Sequence, residues 1–243
     1  MTTMKTFNIT NTDKSWHDCL KKSLCQMDQE YLNHLYNDCQ WIPNHKKIFS
    51  AFSIPAQKVK YVLFGESPYP RVESANGYAF WDSKVVDLWS ETGLNKNVNR
   101  ATSLRNIIKM LLLADNKLKA NDLTQDSIAR INKNDLIQTN DELFYNLTKN
   151  GFLLLNASPV LQSTDVKKDA KQWQPFIKEI LKFLYKQNPK TKLILFGKIA
   201  KSIDKITEQL DMPKLYSEHP YNLSFITNKD ILNFFKPLQL LKK

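Results

Sequence analysis

Four short apolar runs alternate with helix-like segments, and this alternation constrains the fold of the chain more than any other feature. The runs are rich in β-branched or aromatic residues, and three of them end at a glycine or an asparagine. They cover residues 59–64, 152–155, 192–196 and 214–216. Such runs are typical of strands buried on both faces of a parallel sheet. We therefore predict an α/β fold with a central parallel sheet flanked by helices on both faces.

The segments between these runs carry apolar residues at helical spacing, which we interpret as core contacts. They predict helices over residues 13–37 (one or two helices), 46–52, 103–113, 141–149, 171–187, 198–210 and 230–235. Ser103 is in a position to cap the third of these. Residues 82–101 are predicted to be irregular, and residues 114–137 to form a surface excursion with one short helix. Since there is neither a repeat nor a linker, we predict one domain over residues 1–243, with residues 1–12 loose.

The charge of the chain suggests its class of partner. Its 35 Lys and Arg residues outnumber 24 Asp and Glu residues, which gives a formal net charge of +11. This excess favours a polyanion such as nucleic acid, or an anionic membrane face. Because most of the excess is lysine scattered along the chain, a lysine-rich proteome remains an alternative explanation.

Several classes of protein lack support in the sequence. No stretch approaches the ~20 apolar residues of a membrane span, and the first residues lack the apolar core of a signal peptide. Cys19, Cys25 and Cys39 show no CxxC spacing, and the histidines show no metal-binding pairing. We therefore expect a cytoplasmic protein without membrane partner, metal or cofactor, and we expect it to act as a monomer.

The loop after the first run is rigid and polar. Gly65 ends the run, and Pro68 and Pro70 then fix the backbone twice, so residues 66–70 do not form a helix. The loop carries the carboxylate of Glu66, the hydroxyl of Ser67 and the phenol of Tyr69. Ligands of open α/β sheets bind at such strand ends. Taken alone, an ordinary exit from a strand explains these residues equally well.

Two further strand ends carry polar residues that are able to act on a ligand. Asn156 follows the second run, where its amide can pair with the edge of a base. An asparagine there can equally cap the following turn. His219 lies in a loop after the fourth run, and a single loop histidine is more often structural or solvated. In a parallel sheet these ends converge on one edge.

Taken together, the three loops resemble the uracil-DNA glycosylase superfamily, and within it family 1. That family carries GQDPYH after the first central strand, then AF, then LLLN at the next strand end, and HPSPLS near the C-terminus. The corresponding segments here are GESPYP at 65–70, AF at 79–80, LLLN at 153–156 and HPYNLS at 219–224. Their order and spacing agree, over a similarity that runs roughly from Trp41 to the last predicted helix.

The resemblance implies a role for each matching residue in binding a base flipped out of the duplex. Phe80 would stack on the base, and Asn156 would hydrogen-bond its edge. Tyr69 would close the pocket beside the pyrimidine C5 position and so exclude thymine. His219 would donate a hydrogen bond to the base oxygen as the leaving pyrimidine becomes an anion.

The resemblance also implies contacts with the DNA itself. Leu223 would fill the hole that the flipped base leaves in the stack. Ser103 and Ser224 match serines that grip phosphates. Two motif positions differ from the family, since Pro70 replaces a histidine and Tyr221 replaces a serine.

One difference concerns the chemistry directly. The family carries an aspartate where this chain has Ser67, and that carboxylate stabilises the sugar cation and positions the attacking water. A neutral hydroxyl does not stabilise a cation comparably. Other families of the superfamily carry a glutamate at the position of Glu66, so we expect Glu66 to replace the aspartate in part. A one-residue shift along an extended chain normally turns a side chain to the other face, which argues against this substitution.

The sequence therefore predicts a DNA glycosylase that hydrolyses the N-glycosidic bond of a flipped pyrimidine and leaves an abasic site. Uracil is the expected base because Tyr69, Phe80 and Asn156 are all present. Two alternatives stay open. One is a glycosylase for a modified base of phage DNA, and the other is a DNA-binding or scaffold protein with weak or no catalysis.

Overall fold

The computed structural model describes residues 7–38, 40–162 and 166–243. Its strands, in chain order, are β1 (Tyr61–Gly65), β2 (Trp89–Ser90), β3 (Gly93–Leu94), β4 (Phe152–Asn156), β5 (Lys192–Phe196) and β6 (Lys214–Ser217). Strands β4, β1, β5 and β6 form one parallel sheet in that spatial order, and β2 pairs with β3 as a small antiparallel hairpin. The predicted central parallel sheet is therefore confirmed.

Helices connect the strands. They are α1 (His17–Cys25), α2 (Gln29–Asn37), α3 (Lys96–Arg100), α4 (Thr102–Ala114), α5 (Gln125–Ala129), α6 (Asn140–Lys149), α7 (Val166–Gln187), α8 (Ile199–Ile206) and α9 (Lys229–Phe235). Short 3-10 helices cover Lys14–Trp16, Ser50–Ser53, Ala56–Lys58, Leu223–Thr227 and Lys236–Leu238.

Both faces of the sheet are covered, as the apolar runs predict. On β1, Val62 and Phe64 belong to a buried cluster that includes residues of α1, α2, α7 and α8. Leu63, between them, belongs to a second cluster with residues of α4, α6 and α9. Side chains that alternate between two apolar layers explain why the strand sequence is apolar throughout. Each fully buried side chain of this size contributes about 1.5–3 kcal/mol to folding.

The structure corrects several predicted elements. Ser103 does not cap α4, because Ala101 occupies the N-cap position and offers no side-chain hydrogen bond. Residues 82–101 are not wholly irregular, since they hold the hairpin and α3. Residues 46–52 form turns and a 3-10 segment instead of a helix. Helix α7 begins earlier than predicted, and α8 is shorter at its C-terminal end.

The N-terminal segment is described from residue 7 onwards. Residues 1–6 lie outside the described residues. Phe7, which we predicted to be loose, is buried, and its ring lies 6.1 Å from that of Phe49 and 6.2 Å from that of Trp41. Aromatic contacts of this kind add to the energy of apolar burial, which explains the order at this position.

The described residues form neither a membrane-spanning helix nor a cluster of metal ligands. No helix in residues 7–38, 40–162 or 166–243 combines the length and apolarity that a membrane crossing needs. Over the same ranges, no group of three or more His, Cys, Asp or Glu side chains is arranged to hold a metal ion. Cys39 lies outside these ranges.

Candidate active site

The candidate site lies where the parallel strands end. Strands β1 and β4 are paired up to their last residues, so Gly65 lies beside Asn156. The pairing continues into the loops: Ala157 N–H donates to the carbonyl oxygen of Gly65 over 2.9 Å, and Ser158 N–H donates to that of Glu66 over 3.1 Å. The first two loops are therefore fixed against each other by backbone hydrogen bonds.

Asn156 lies at the centre of this edge. Its side chain is 3% exposed, and no other described residue hydrogen-bonds to its amide. A Cβ at residue 65 would overlap Asn156 Oδ1 and would come within 2.9 Å of Ala79 Cβ, so only glycine leaves room for this packing. An amide that has no hydrogen-bond partner among the described residues keeps its donor and its acceptor for the edge of a ligand.

Phe80 follows Ala79 and adopts a strained backbone conformation. Its φ of 63° is in the left-handed region, which costs a non-glycine residue about 1–3 kcal/mol. Two hydrogen bonds hold the segment: Ala79 N–H donates to Leu154 O over 3.1 Å, and the Tyr69 hydroxyl donates to Phe80 O over 3.2 Å. The Phe80 ring lies 6.0 Å from that of Phe196. The backbone at Phe80 is thus tied to the loop of Tyr69 and to strand β4.

The Tyr69 ring also lies between the site and a neighbouring pocket. Burial raises the pKa of the Tyr69 phenol, and the charge of Asp82 raises it further, so the hydroxyl stays protonated and donates. The Tyr69 ring is therefore neutral and is fixed by its backbone at one end and by the hydrogen bond to Phe80 O at the other.

His219 reaches the site from the loop after β6. It packs against Gly197, where φ is +66° and a Cβ would come within 2.8 Å of His219 Cβ. Its ring lies 6.1 Å from the ring of Phe80. The backbone N–H of Tyr221 donates to His219 Nδ1 over 3.1 Å. Since Nδ1 accepts this bond, the neutral imidazole carries its proton on Nε2.

The charge state of His219 is set by two opposing effects. Burial lowers its pKa below the ordinary value of 6.5, and the negative charge of Glu66 acts in the opposite direction. The burial effect is larger, so the imidazole is neutral near pH 7.

Glu66 and Ser67 have different surroundings. Glu66 is exposed and lines a groove between α7 and α8. Ser67 is half-buried, and its hydroxyl makes a single long hydrogen bond of 3.4 Å to Pro68 O among the described residues. The carboxylate near the site therefore belongs to Glu66, whose side chain has turned towards the groove as the one-residue shift predicts.

The predicted DNA-contact residues lie on the rim. Leu223 is 71% exposed. Ser224 is exposed beside Glu218. Burial raises the pKa of that carboxyl group, but hydrogen bonds from Ser224 and Asn228 outweigh this effect and hold it below its ordinary value. Ser103, in the first turn of α4, lines a pocket of about 380 Å³ together with Tyr69 and other residues.

That pocket contains cations that the sequence prediction missed. Besides Ser103 it is lined by Arg71, Lys84 and Arg100. Arg71 pairs with the buried Asp82 over 3.3 Å. With α4 uncapped, free N–H groups add to this positive field. A cluster of this kind suits a phosphate group.

Asn106 is a second residue that the sequence prediction missed. It is fully buried on α4, and its Nδ2 donates to Pro220 O over 2.7 Å and to Tyr221 O over 3.4 Å. It therefore anchors the loop whose backbone N–H binds His219. The sequence does contain a sign of this role: Asn106 interrupts an otherwise apolar helix face in SLRNIIKML, at residues 103–111.

Three contacts connect the predicted base-binding residues. The Tyr69 hydroxyl is hydrogen-bonded to Phe80 O, the rings of Phe80 and His219 lie 6.1 Å apart, and Asn156 Oδ1 and Ala79, which precedes Phe80, both pack against Gly65. We call the region between Tyr69, Phe80, Asn156 and His219 the base pocket. Glu66 and Ser67 precede Tyr69 on its loop, Leu223 and Ser224 follow His219 on its loop, and Ser103 lines the pocket that Tyr69 also lines; we call the last three of these the rim residues, Ser103, Leu223 and Ser224.

Comparisons with known proteins agree on the family of such proteins. The family model described as the uracil DNA glycosylase superfamily matches residues 52–241. A uracil-DNA glycosylase of Streptococcus mutans is 27% identical over 216 residues, which cover 86% of this chain and 84% of that protein. One from Campylobacter jejuni is 27% identical over 228 residues, with 92% and 84% covered.

Solved structures show the same relationship. The wild-type UNG from Nitratifractor salsuginis superposes with a TM-score of 0.91 at 37% identity, covering 96% of this chain and 94% of that one. Mimivirus uracil-DNA glycosylase superposes with a TM-score of 0.59 at 17% identity, over 86% of this chain and 70% of that one. The second likeness concerns the fold alone.

Proposed function

This chain belongs to the uracil-DNA glycosylase superfamily, and we propose that it excises uracil from DNA by hydrolysing the N-glycosidic bond, leaving an abasic site. The observation that carries the proposal is the Asn156 side chain at the end of β4, which is 3% exposed and has no hydrogen-bond partner among the described residues. The names of the matched relatives give the same activity.

Base recognition follows from the pocket. A flipped uracil would stack on Phe80 and pair its edge with the Asn156 amide, and these contacts offset the few kcal/mol that unstacking costs. The Tyr69 ring would lie beside C5, where thymine carries a methyl group. Because the Tyr69 hydroxyl is hydrogen-bonded to Phe80 O, the ring would not move aside, and the methyl group of thymine would clash with it.

His219 would stabilise the leaving group. When the bond from the base nitrogen to C1′ breaks, its electron pair stays on the uracil and negative charge develops on a carbonyl oxygen of the base. The Nε2–H of neutral His219 would donate to that oxygen. A preorganised donor facing developing charge is typically worth ~3–4 kcal/mol.

Glu66 would supply the missing carboxylate. The sugar becomes cationic as the bond breaks, and a water molecule then adds to C1′ and loses a proton. We assign the stabilisation of the cation and the acceptance of this proton to Glu66, the carboxylate of this loop, whose exposed side chain would have to turn from the groove towards C1′ in the complex. General bases act at hydrogen-bond distance or through one water. Ser67 would contribute a neutral hydroxyl at the same loop.

The rim residues would hold the DNA. Leu223, exposed as it is, would enter the space left by the base. Ser103 and Ser224 would contact phosphates, and Arg71, Lys84 and Arg100 would strengthen the first of these contacts. We propose that the protein acts as a monomer and without a cofactor, because one chain supplies every group named above. We also propose that it acts in the cytoplasm.

Incubation with a uracil-containing duplex followed by alkali tests the proposal. Strand breaks at the uracil, and none in a matched thymine duplex, are the expected result. Binding without strand breaks on any substrate would replace this proposal by the DNA-binding alternative that the loss of the aspartate at Ser67 suggests. Breaks confined to a phage-modified pyrimidine would retain the chemistry and change the substrate.

A further inference from the structure

An open groove of about 1030 Å³ lies between α7 and α8, and we call it the lysine groove. Helix α7 contributes Lys167 and Lys171, which are four residues apart and so share one face. The α8 side contributes Lys198, Lys201 and Lys205. The floor is apolar, formed in part by Ala170 and Ile199. Two helices thus present facing rows of cations.

Within residues 7–38, 40–162 and 166–243, no ion pair neutralises the positive charge of the groove. All five lysines are exposed, and none makes an ion pair with a described carboxylate. Glu66 is the one carboxylate in the lining. Nearby acids are engaged elsewhere: Asp204 binds Lys214 over 2.7 Å, and Asp169 is buried and accepts from Gln162 N–H over 3.0 Å. The groove therefore attracts a polyanion.

The groove adjoins the base pocket through a rigid loop. Glu66 lines the lysine groove, and Tyr69, three residues later, lines the cationic pocket beside Ser103. Pro68 and Pro70 hold this loop stiff. Two positive surfaces therefore meet the two ends of the loop that borders the base pocket.

We propose that the lysine groove binds the sugar–phosphate backbone of the DNA beyond the target nucleotide. Lys198 and Lys205 are seven residues apart, or about 10 Å along a helix. Along the axis of B-DNA, each strand carries one phosphate per about 3.4 Å, so a row of this length parallel to the axis covers about three phosphates of one strand. An apolar floor with flexible cationic rims suits a backbone track that reads no sequence. This inference rests on the proposed function for the position of the target nucleotide.

The test uses one triple variant and one matched control. The groove variant is Lys171→Gln, Lys201→Gln and Lys205→Gln, which removes three charges from exposed positions. The control is Lys58→Gln, Lys186→Gln and Lys190→Gln, whose exposed lysines precede β1 and β5 and so lie at the opposite edge of the sheet. Equal melting temperatures for both triples and the wild type establish that the comparison concerns binding.

The measurement is equilibrium binding to uracil-free duplexes over a range of salt concentrations. One duplex has about one helical turn (~10 base pairs), and the other has about three turns. Each phosphate contact contributes about 0.9 to the slope of log K against log salt. We expect the groove variant to lower the slope by about 2 on the long duplex and by less than half of that on the short one. The control triple leaves both slopes near their wild-type values.

An unchanged slope in the groove variant would overturn the inference, and so would an equal loss in the control triple, which would indicate general charge attraction. Because the probe contains no uracil, the result does not depend on excision. If the wild type excises uracil and the groove variant keeps the wild-type salt slope, only the role of the lysine groove is refuted. If the groove variant lowers the slope but the wild type does not excise uracil, only the proposed chemistry is refuted.

Discussion

The backbone N–H of Tyr221 donates a hydrogen bond to Nδ1 of His219 over 3.1 Å. Asn106, buried on α4, holds the same loop through the carbonyl groups of Pro220 and Tyr221. A helix on one face of the sheet therefore fixes the tautomer of a histidine at its edge. The position of this N–H decides which imidazole nitrogen is left as a donor towards the base pocket.

Replacement of Asn106 by alanine is the first prediction. Loss of its amide leaves buried carbonyl oxygens unsatisfied, at a cost of about 1–3 kcal/mol, and releases the loop. Because the Tyr221 N–H favours neutral His219, its withdrawal raises the pKa of the imidazole. NMR titration of His219 measures this change.

Asn140→Ala is the matched control for that variant. Asn140 is equally buried and donates to the carbonyl oxygen of Asp82 over 3.2 Å, without contact to the His219 loop. The Asn140→Ala variant should be less stable than the wild type, but its His219 should titrate as in the wild type. A similar titration in both variants and the wild type would show that Asn106 has no positioning role.

The pH dependence of the site gives the second prediction. Burial holds the pKa of His219 below 6.5, so the neutral donor persists above that pH and is lost as the pH falls through the lowered pKa. Protonation places a hydrogen on Nδ1, against the Tyr221 N–H, so turnover decreases in acid. Glu66 raises this pKa, and Glu66→Gln should therefore shift the His219 titration to lower pH. Ser67→Ala, which removes no charge, should not. A Glu66→Gln titration that matches the wild type would refute the coupling.

The third prediction concerns Asn156. Because its amide has no hydrogen-bond partner among the described residues, Asn156→Ala breaks no hydrogen bond within the described protein and should leave the melting temperature nearly unchanged. Turnover on uracil-containing DNA should fall ~10²-fold or more, the scale for one positioned hydrogen-bonding group. A melting temperature that falls together with activity would identify Asn156 as a structural residue.

Tyr69 gives the fourth prediction. Tyr69→Ala opens the pocket at the C5 position and should admit thymine, which is measured as alkali-labile breaks in a uracil-free duplex. Tyr69→Phe keeps the ring and removes the hydrogen bond to Phe80, so it should still reject thymine and lose about 0.5–1.5 kcal/mol of stability. If thymine is rejected equally by the alanine variant, selectivity resides elsewhere.

Much of the fold could be predicted because its strands are buried on both faces and so appear as uninterrupted apolar runs. Strand β5 has the bounds that its apolar run predicts, and Asn156 does terminate β4. The hairpin of β2 and β3 was missed because strands of two residues carry no periodicity. The Ser103 cap was wrong since helix α4 begins one residue earlier than expected, which leaves the hydroxyl inside the first turn.

The site was less predictable than the fold. Motif order identified Tyr69, Phe80, Asn156 and His219, but contacts between distant residues leave little trace in sequence. Asn106 lies 114 positions from the Pro220 carbonyl that it binds. The lysine groove depends on how α7 and α8 face each other, and the spacing of lysines within one helix gives only half of that pattern.

The central claim is that this site excises uracil with Glu66 in place of the missing aspartate. Single-turnover release of uracil from a duplex, measured for the wild type, Glu66→Gln and Ser67→Asp, tests it most directly. The account predicts release by the wild type and a loss of roughly 10²-fold or more in Glu66→Gln, the usual scale for a positioned acid or base. It would be contradicted by a wild type that releases no uracil while Ser67→Asp does, or by a Glu66→Gln variant as fast as the wild type.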